Sequence, residues 1–215
     1  EIADDDNIGL VSSRVKKALK EYEVPGGYEV EMTGEDATIN EAMTELFKML
    51  GLAIVFMYLI MVAQFQSLRS PFIVMFTVPL AFTGGLLALW LSGMTVSVIA
   101  MIGFVMLSGI IVNNGIVFID YTNQLQEQGM ESREALEEAG KARLRPIIMT
   151  ALATILGLST MSIGFGMGAD MVQPMAVVTI GGLIYGTVLT LIVVPCIYDM
   201  FHKKEKARLR EEIEE

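Results

Sequence analysis

Between Ser70 and Ile119 the chain carries no Asp, Glu, Lys, Arg or His, a run of 50 residues. An α-helix needs about 20 apolar residues to cross the hydrocarbon core of a bilayer. The run therefore holds two membrane spans, with a turn near Leu91-Ser-Gly-Met-Thr95. Close to the midpoint of the second span lie two adjacent carboxamides, Asn113 and Asn114, inside Gly109-Ile-Ile-Val-Asn-Asn-Gly-Ile-Val-Phe-Ile-Asp120. Polar side chains at that depth are costly against lipid, so the pair is expected to face other helices or a wet cavity.

The rest of the composition agrees with a membrane protein. Of the 215 residues 53% are hydrophobic, too many for an ordinary water-soluble domain. The net charge of −10 says little, because the charges sit in a few islands. With a single cysteine, Cys196, no intramolecular disulfide can form, and the single histidine, His202, lies outside the spans. No metal-ligand spacing results, and no metal, cofactor or nucleic-acid partner is expected. The chain opens on Glu1-Ile-Ala-Asp-Asp-Asp6, with neither Met nor a signal peptide, and reads as the middle of something longer.

Taken in order, residues 1–36 form a polar segment. Val11, Val15, Leu19 and Tyr22 recur at helical spacing, which predicts an amphipathic helix over 7–22. Pro25-Gly26-Gly27 turns the chain. Tyr28, Val30 and Met32 alternate with Glu29 and Glu31 as a short half-buried strand. Thr38-Ile-Asn-Glu41 fits a capping box and starts a helix that continues into a first span at 44–64. Arg69 and Pro71 mark the hairpin into the second span, 71–91, which contains Pro79 and ends at Trp90, an interfacial anchor. The third span, 96–121, holds the asparagines and leaves the membrane at Asp120-Tyr121.

After Gly129, Ser132 caps a short helix over 133–143 with a Glu137–Lys141 pair, and Leu136, Ala139, Gly140 and Leu144 give it a weak face for a membrane surface. Pro146 opens the fourth span, 146–166, and Gly164, Gly166 and Gly168 end it. The fifth, 172–200, includes Gly182-x-x-x-Gly186, either a close-packing pattern or chance in a glycine-rich helix. The expected fold class is thus a mainly α membrane protein, with five transmembrane helices and a small extracytoplasmic helix–strand segment at the N-terminus. The bundle occupies 37–201, and 202–215 form a charged helical tail.

Five crossings put the termini on opposite sides. Arg69, the 133–145 loop and the tail carry ten Lys and Arg residues on one side; the other side has five, all in the N-terminal segment and none in its two short loops. Short loops carry the orientation signal, so the C-terminus is expected in the cytoplasm and residues 1–43 outside.

Four stretches in order resemble the C-terminal membrane half of resistance–nodulation–division (RND) transporters, most nearly the hydrophobe/amphiphile efflux branch. They are Val62-Ala-Gln-Phe-Gln-Ser-Leu68, Phe76-Thr-Val-Pro-Leu80, Gly109 to Tyr121 and Ala142-Arg-Leu-Arg-Pro-Ile-Ile-Met-Thr150. The resemblance covers residues 25–202. It implies that 1–36 close a periplasmic porter subdomain and that the five spans are the last of twelve. It further implies a proton-driven exporter of hydrophobic or amphiphilic compounds in the bacterial inner membrane, conferring multidrug resistance. Such a protein works as a homotrimer, among membrane lipids, with a periplasmic adaptor and an outer-membrane channel.

In the family a proton is bound by paired aspartates in the N-terminal half, aided by a lysine, an arginine and a threonine in the C-terminal half. The resemblance places the arginine at Arg143 and the threonine at Thr150. Asn113 stands at the lysine position, a departure, and Asn114 follows it. A lysine can pair with an ionised aspartate and release it on protonation, whereas an amide hydrogen-bonds to either form. Asn113, Asn114, Arg143, Thr150 and Asp120 are therefore the proton-relay candidates. Each has a plainer reading: interhelical glue for the amides, an inside-positive anchor for Arg143, a bond to its own helix backbone for Thr150 and a solvated helix end for Asp120. Asp170 and Gln173 fall in an outside loop.

No Ser/His or His-Glu-x-x-His arrangement suggests an enzyme. The competing functions are a non-transporting membrane scaffold and a lipid- or metal-exporting RND relative.

Overall fold

The computed structural model describes residues 14–15, 17–19, 35–164 and 168–214. Among the described residues there is no strand, and the ordered elements are helices. They are α1 (Glu35–Phe65), α2 (Arg69–Met75), α3 (Thr77–Ser92), α4 (Val98–Glu127), α5 (Ser132–Ser162) and α6 (Ala169–Glu214). Five segments are long and apolar enough to cross a membrane: Thr38–Phe65, Ser70–Ser92, Val98–Glu127, Ser132–Ser162 and Met171–Met200. The chain divides into two compact units, Glu1–Lys48 and Met49–Glu215, and the bundle is the second. The expected N-terminal helix–strand segment finds no support. Residues 14–15 and 17–19 are helical, while the Pro25-Gly26-Gly27 turn and the strand at 28–32 lie outside the described residues.

Several expected boundaries move. Helix α1 begins at Glu35, so Thr38 lies inside a helix already under way and is not its N-cap, a position that requires non-helical backbone. The second crossing breaks in two at Phe76, between α2 and α3. Pro79 explains the break, because it has no N–H for the carbonyl four residues back, that of Met75, and its ring crowds that oxygen. The Thr77 hydroxyl donates to the Val74 carbonyl at 2.7 Å beside the break. At the other end Gly93 adopts φ 71°, a left-handed cap suited to glycine, with Met94 N donating to Leu89 O at 3.0 Å.

The separate surface helix at 133–143 does not exist. Helix α5 runs unbroken from Ser132 to Ser162 with Pro146 inside it. A proline within a membrane helix is tolerated where neighbours re-satisfy the freed carbonyl, so Pro146 marks no start. Glu131, with extended backbone, holds the N-cap position in place of Ser132 and makes no side-chain cap bond. The third crossing also runs on past Tyr121 to Glu127, and Ser97 caps its start by accepting from Ala100 N at 3.2 Å. Helix α6 continues beyond the last crossing to Glu214 with Pro174 and Pro195 inside it.

Helix packing rests on small residues. A β-carbon added at Gly182 would strike the Leu107 side chain and lie 3.0 Å from the Ala81 carbonyl oxygen. One at Gly186 would come within 2.8 Å of Ile111 and 2.9 Å of Ala81. One at Gly84 would meet Tyr185 at 2.5 Å. The Gly182-x-x-x-Gly186 pattern is therefore a packing surface, since the absence of side chains lets α6 approach α3 and α4 almost backbone to backbone. A second cluster, with Ile73, Val74, Phe118, Ile119, Ile147, Val194 and Tyr198, joins α2, α4, α5 and α6.

Replacing Gly182 by Val is expected to lower stability by about 1–3 kcal/mol through overpacking. Gly157→Ala, where a β-carbon meets nothing within 4 Å, is expected to be neutral or slightly stabilising. Thermal unfolding of the two variants in one detergent checks both expectations.

Candidate functional site

The contacts of α4 fix which residues share a level. Leu107 meets Gly182, Ile111 meets Gly186, and Asn123 accepts from the Tyr198 hydroxyl at 2.6 Å, each pair being 75 positions apart. A constant offset means that α4 and α6 run parallel without slipping. Between the second and third of these contacts, Asn114 stands level with Leu189 and its neighbour Thr190. Helices α4 and α5 are antiparallel across a short link. The Arg143 guanidinium lies 4.6 Å from the centre of the Tyr121 ring. Two turns further in, Asn114 on α4 and Thr150 on α5 come level.

The two asparagines do not act as a pair. Asn114 is buried at 8% exposure, and its Nδ2 has no hydrogen-bond partner. Thr187 and Thr190 on α6 are likewise buried, and their hydroxyls have no partner. Asn113, in contrast, is exposed. Successive helical residues point about 100° apart, so adjacent amides cannot both face one neighbour. The expectation that both would point into this bundle holds for Asn114 only. Asn113 belongs to a stripe of exposed residues, Ile102, Met106, Gly109, Asn113 and Gln124, spaced as one helical face. Asp120, half-exposed, lies on the same face.

The remaining candidates fall nearby. Asp120 accepts from Gln124 Nε2 at 2.9 Å and sits two turns before the end of α4. The Thr150 hydroxyl donates to the Ile147 carbonyl at 2.9 Å, as a threonine in a membrane helix commonly does. Arg143 is half-buried, and its Nε has no partner. Asn113, Asn114 and Thr150 thus share a level, with Arg143 and Asp120 two turns away along α5 and α4. Chemically, the inner level offers amides and hydroxyls and no ionisable group. It can accept or donate a hydrogen bond or hold water, and it has no group of its own to carry charge.

Three contacts escaped the sequence reading. The hydroxyl of Tyr198, a residue 1% exposed, reaches Asn123 and also Gln126 Oε1 at 3.3 Å, tying α6 to the end of α4. The signal was available, since a tyrosine buried in an apolar run needs a hydroxyl partner. Gln173 lies within α6 and not in a loop, and its Nε2 donates to the Ser162 carbonyl at 2.8 Å, closing the end of α5. Asp170 is also part of α6. The Tyr121–Arg143 contact had no sequence signal, being set by how α4 and α5 turn about their axes.

Residues 1–202 match the AcrB/AcrD/AcrF family. The chain is 39% identical over 204 residues to the swarming motility protein SwrC of Bacillus subtilis (strain 168), covering 94% of this chain and 19% of that protein. It is 35% identical over 201 residues to the cobalt-zinc-cadmium resistance protein CzcA of Cupriavidus metallidurans, covering 93% of this chain and 19% of that protein. The fold superimposes on a crystal structure of a heavy metal efflux pump with a TM-score of 0.78 and 30% identity, over 93% of this chain and 20% of that one. This chain therefore spans about one fifth of the length of the relatives it matches. With that match and five apolar crossings, the chain belongs to the AcrB/AcrD/AcrF family and is membrane-domain sequence of an RND transporter.

Proposed function

We propose that the chain is the C-terminal membrane half of a proton-driven efflux transporter, and that its α4 stripe is the surface against which the N-terminal half docks. The observation that carries this reading is the exposed amide of Asn113, level with Thr150 and backed by the buried Asn114. A carboxamide at membrane depth needs a polar partner, and this chain covers only one of the two. The N-terminal half supplies the proton-binding carboxylates. Asn113, Asn114 and Thr150 line their path, and Arg143 and Asp120 stand on its cytoplasmic side. The C-terminus is cytoplasmic and the N-terminal segment extracytoplasmic, in a bacterial inner membrane. The full protein works as a homotrimer with a periplasmic adaptor and an outer-membrane channel.

The cargo is a hydrophobic or amphiphilic compound. The four motif stretches, which resemble that branch, support this. A second reading, export of divalent cations, is favoured by the similarity to CzcA, a cobalt-zinc-cadmium resistance protein, and to a heavy metal efflux pump.

Asn113→Leu in the full-length transporter is expected to reduce export roughly tenfold, the effect of one lost buried hydrogen bond in a coupled step, at equal expression and insertion. Efflux-deficient cells carrying the wild-type transporter test both cargo readings. Tolerance to amphiphilic toxicants, lost in the Asn113→Leu variant, supports the first; tolerance confined to cobalt, zinc or cadmium establishes the second. Unchanged export by the variant leaves Asn113 without a transport role. The purified chain in vesicles is expected to take up no protons, since no ionisable residue lies deep in a span. Uptake abolished by an uncoupler contradicts this.

A further inference from the structure

Arg143 is held by a ring and not by an acid. Its guanidinium carbon lies 4.6 Å from the centre of the Tyr121 ring, and among the described residues it forms no ion pair. The charged and titratable groups of the neighbouring elements are engaged otherwise or turned elsewhere. On α4, Asp120 accepts from Gln124, and Glu127 lies at the helix end, exposed. On α6, the Tyr198 hydroxyl bonds Asn123, and Asp199 has an interaction of its own. On α5, Lys141 pairs with Glu137 at 2.9 Å, and Arg145 is exposed.

A π face attracts a cation but accepts no hydrogen bond in the plane of the guanidinium. The consequence is visible at Nε, which is buried and has no acceptor. A buried donor on a charged group is costly to leave unpaired. Tyr121 is itself half-buried and packed against the hydrophobic cluster, so the ring is a fixed support. The cation is therefore positioned over the ring while its buried Nε is left unpaired.

We propose that Tyr121 is a positioning residue: its ring holds the Arg143 guanidinium with Nε unpaired and no acid bound, and so sets how strongly Arg143 pairs with a carboxylate brought to this level by the rest of the transporter. This inference rests on the proton-coupled reading above. Ring and carboxylate compete for one guanidinium. Only the ionised acid competes well, so the ring opposes ionisation and favours the protonated acid. Removing the ring frees Arg143 to pair, stabilises the ionised acid and moves proton binding to lower pH. A face that binds the cation more strongly does the reverse.

The test is the pH dependence of transport by the full-length protein in proteoliposomes, compared across three variants. Tyr121→Phe keeps the face and is expected to follow the wild type. Tyr121→Leu removes it, and the midpoint is expected to move about half a unit to lower pH, the size of a partly exposed cation–π contact expressed as a pKa shift. Tyr121→Trp, with a stronger face, is expected to move the midpoint to higher pH, and it decides the matter alone if the Leu variant does not fold. A Leu or Trp midpoint equal to that of the wild type, or a Phe variant displaced as far as Leu, overturns the proposal and leaves the transport reading standing. Wild-type transport indifferent to an imposed proton gradient instead removes the proton-coupled reading, and this inference with it.

Discussion

Close approach of α6 to α3 and α4 is the contact on which the rest of the bundle depends. In a bilayer the tails are as apolar as leucine, so helices gain nothing by hiding apolar side chains from them. Association has to come from van der Waals contact at short range. Gly182 and Gly186 on α6 provide it, with Ala81 of α3 and Leu107 and Ile111 of α4 filling the space where side chains would be. Once Leu107 and Ile111 are seated on those glycines, the rotation of α4 about its own axis is fixed. That rotation turns Asn114 inward and Asn113 outward.

The separation of the two amides follows from packing and gives the site its chemistry. Asn114 joins Thr187 and Thr190 in a buried polar level whose donors find no partner among the described residues. Asn113 lies on a face where Gly109 leaves open space. An amide responds weakly to the ionisation of a neighbouring acid, because it bonds to either form. A fixed positive charge, that of Arg143, lies two turns away, held over the Tyr121 ring.

Much of this was legible in the residues. Runs without charge located the five crossings, whereas the glycine spacing on the last one left packing and chance equally open until the contacts of Gly182 and Gly186 decided for packing. What failed were readings of single punctuating residues. Pro146 looked like a helix start, yet α5 passes through it, because a bundle can re-satisfy the one carbonyl that a proline frees. Thr38 looked like a cap, yet a capping pattern has meaning only where the backbone leaves the helix, and α1 is already helical there. The directions of Asn113 and Asn114 needed the rotation of α4, which depends on contacts some 75 residues away. The contact of Arg143 with Tyr121 is hidden for the same reason. The hydroxyl of Tyr198 was the exception, a buried polar group whose need for a partner is readable without any coordinates.

The account stands on one surface, the face of α4 that carries Asn113. A spin label at Asn113→Cys, with Cys196 replaced, measures directly what covers it in the full-length transporter in lipid. Collision with oxygen reports acyl chains, and collision with a water-soluble nickel chelate reports solvent. The account predicts low oxygen accessibility at this position, and a marked rise when the chain is reconstituted alone. Oxygen accessibility in the full-length protein as high as in the chain reconstituted alone would contradict it.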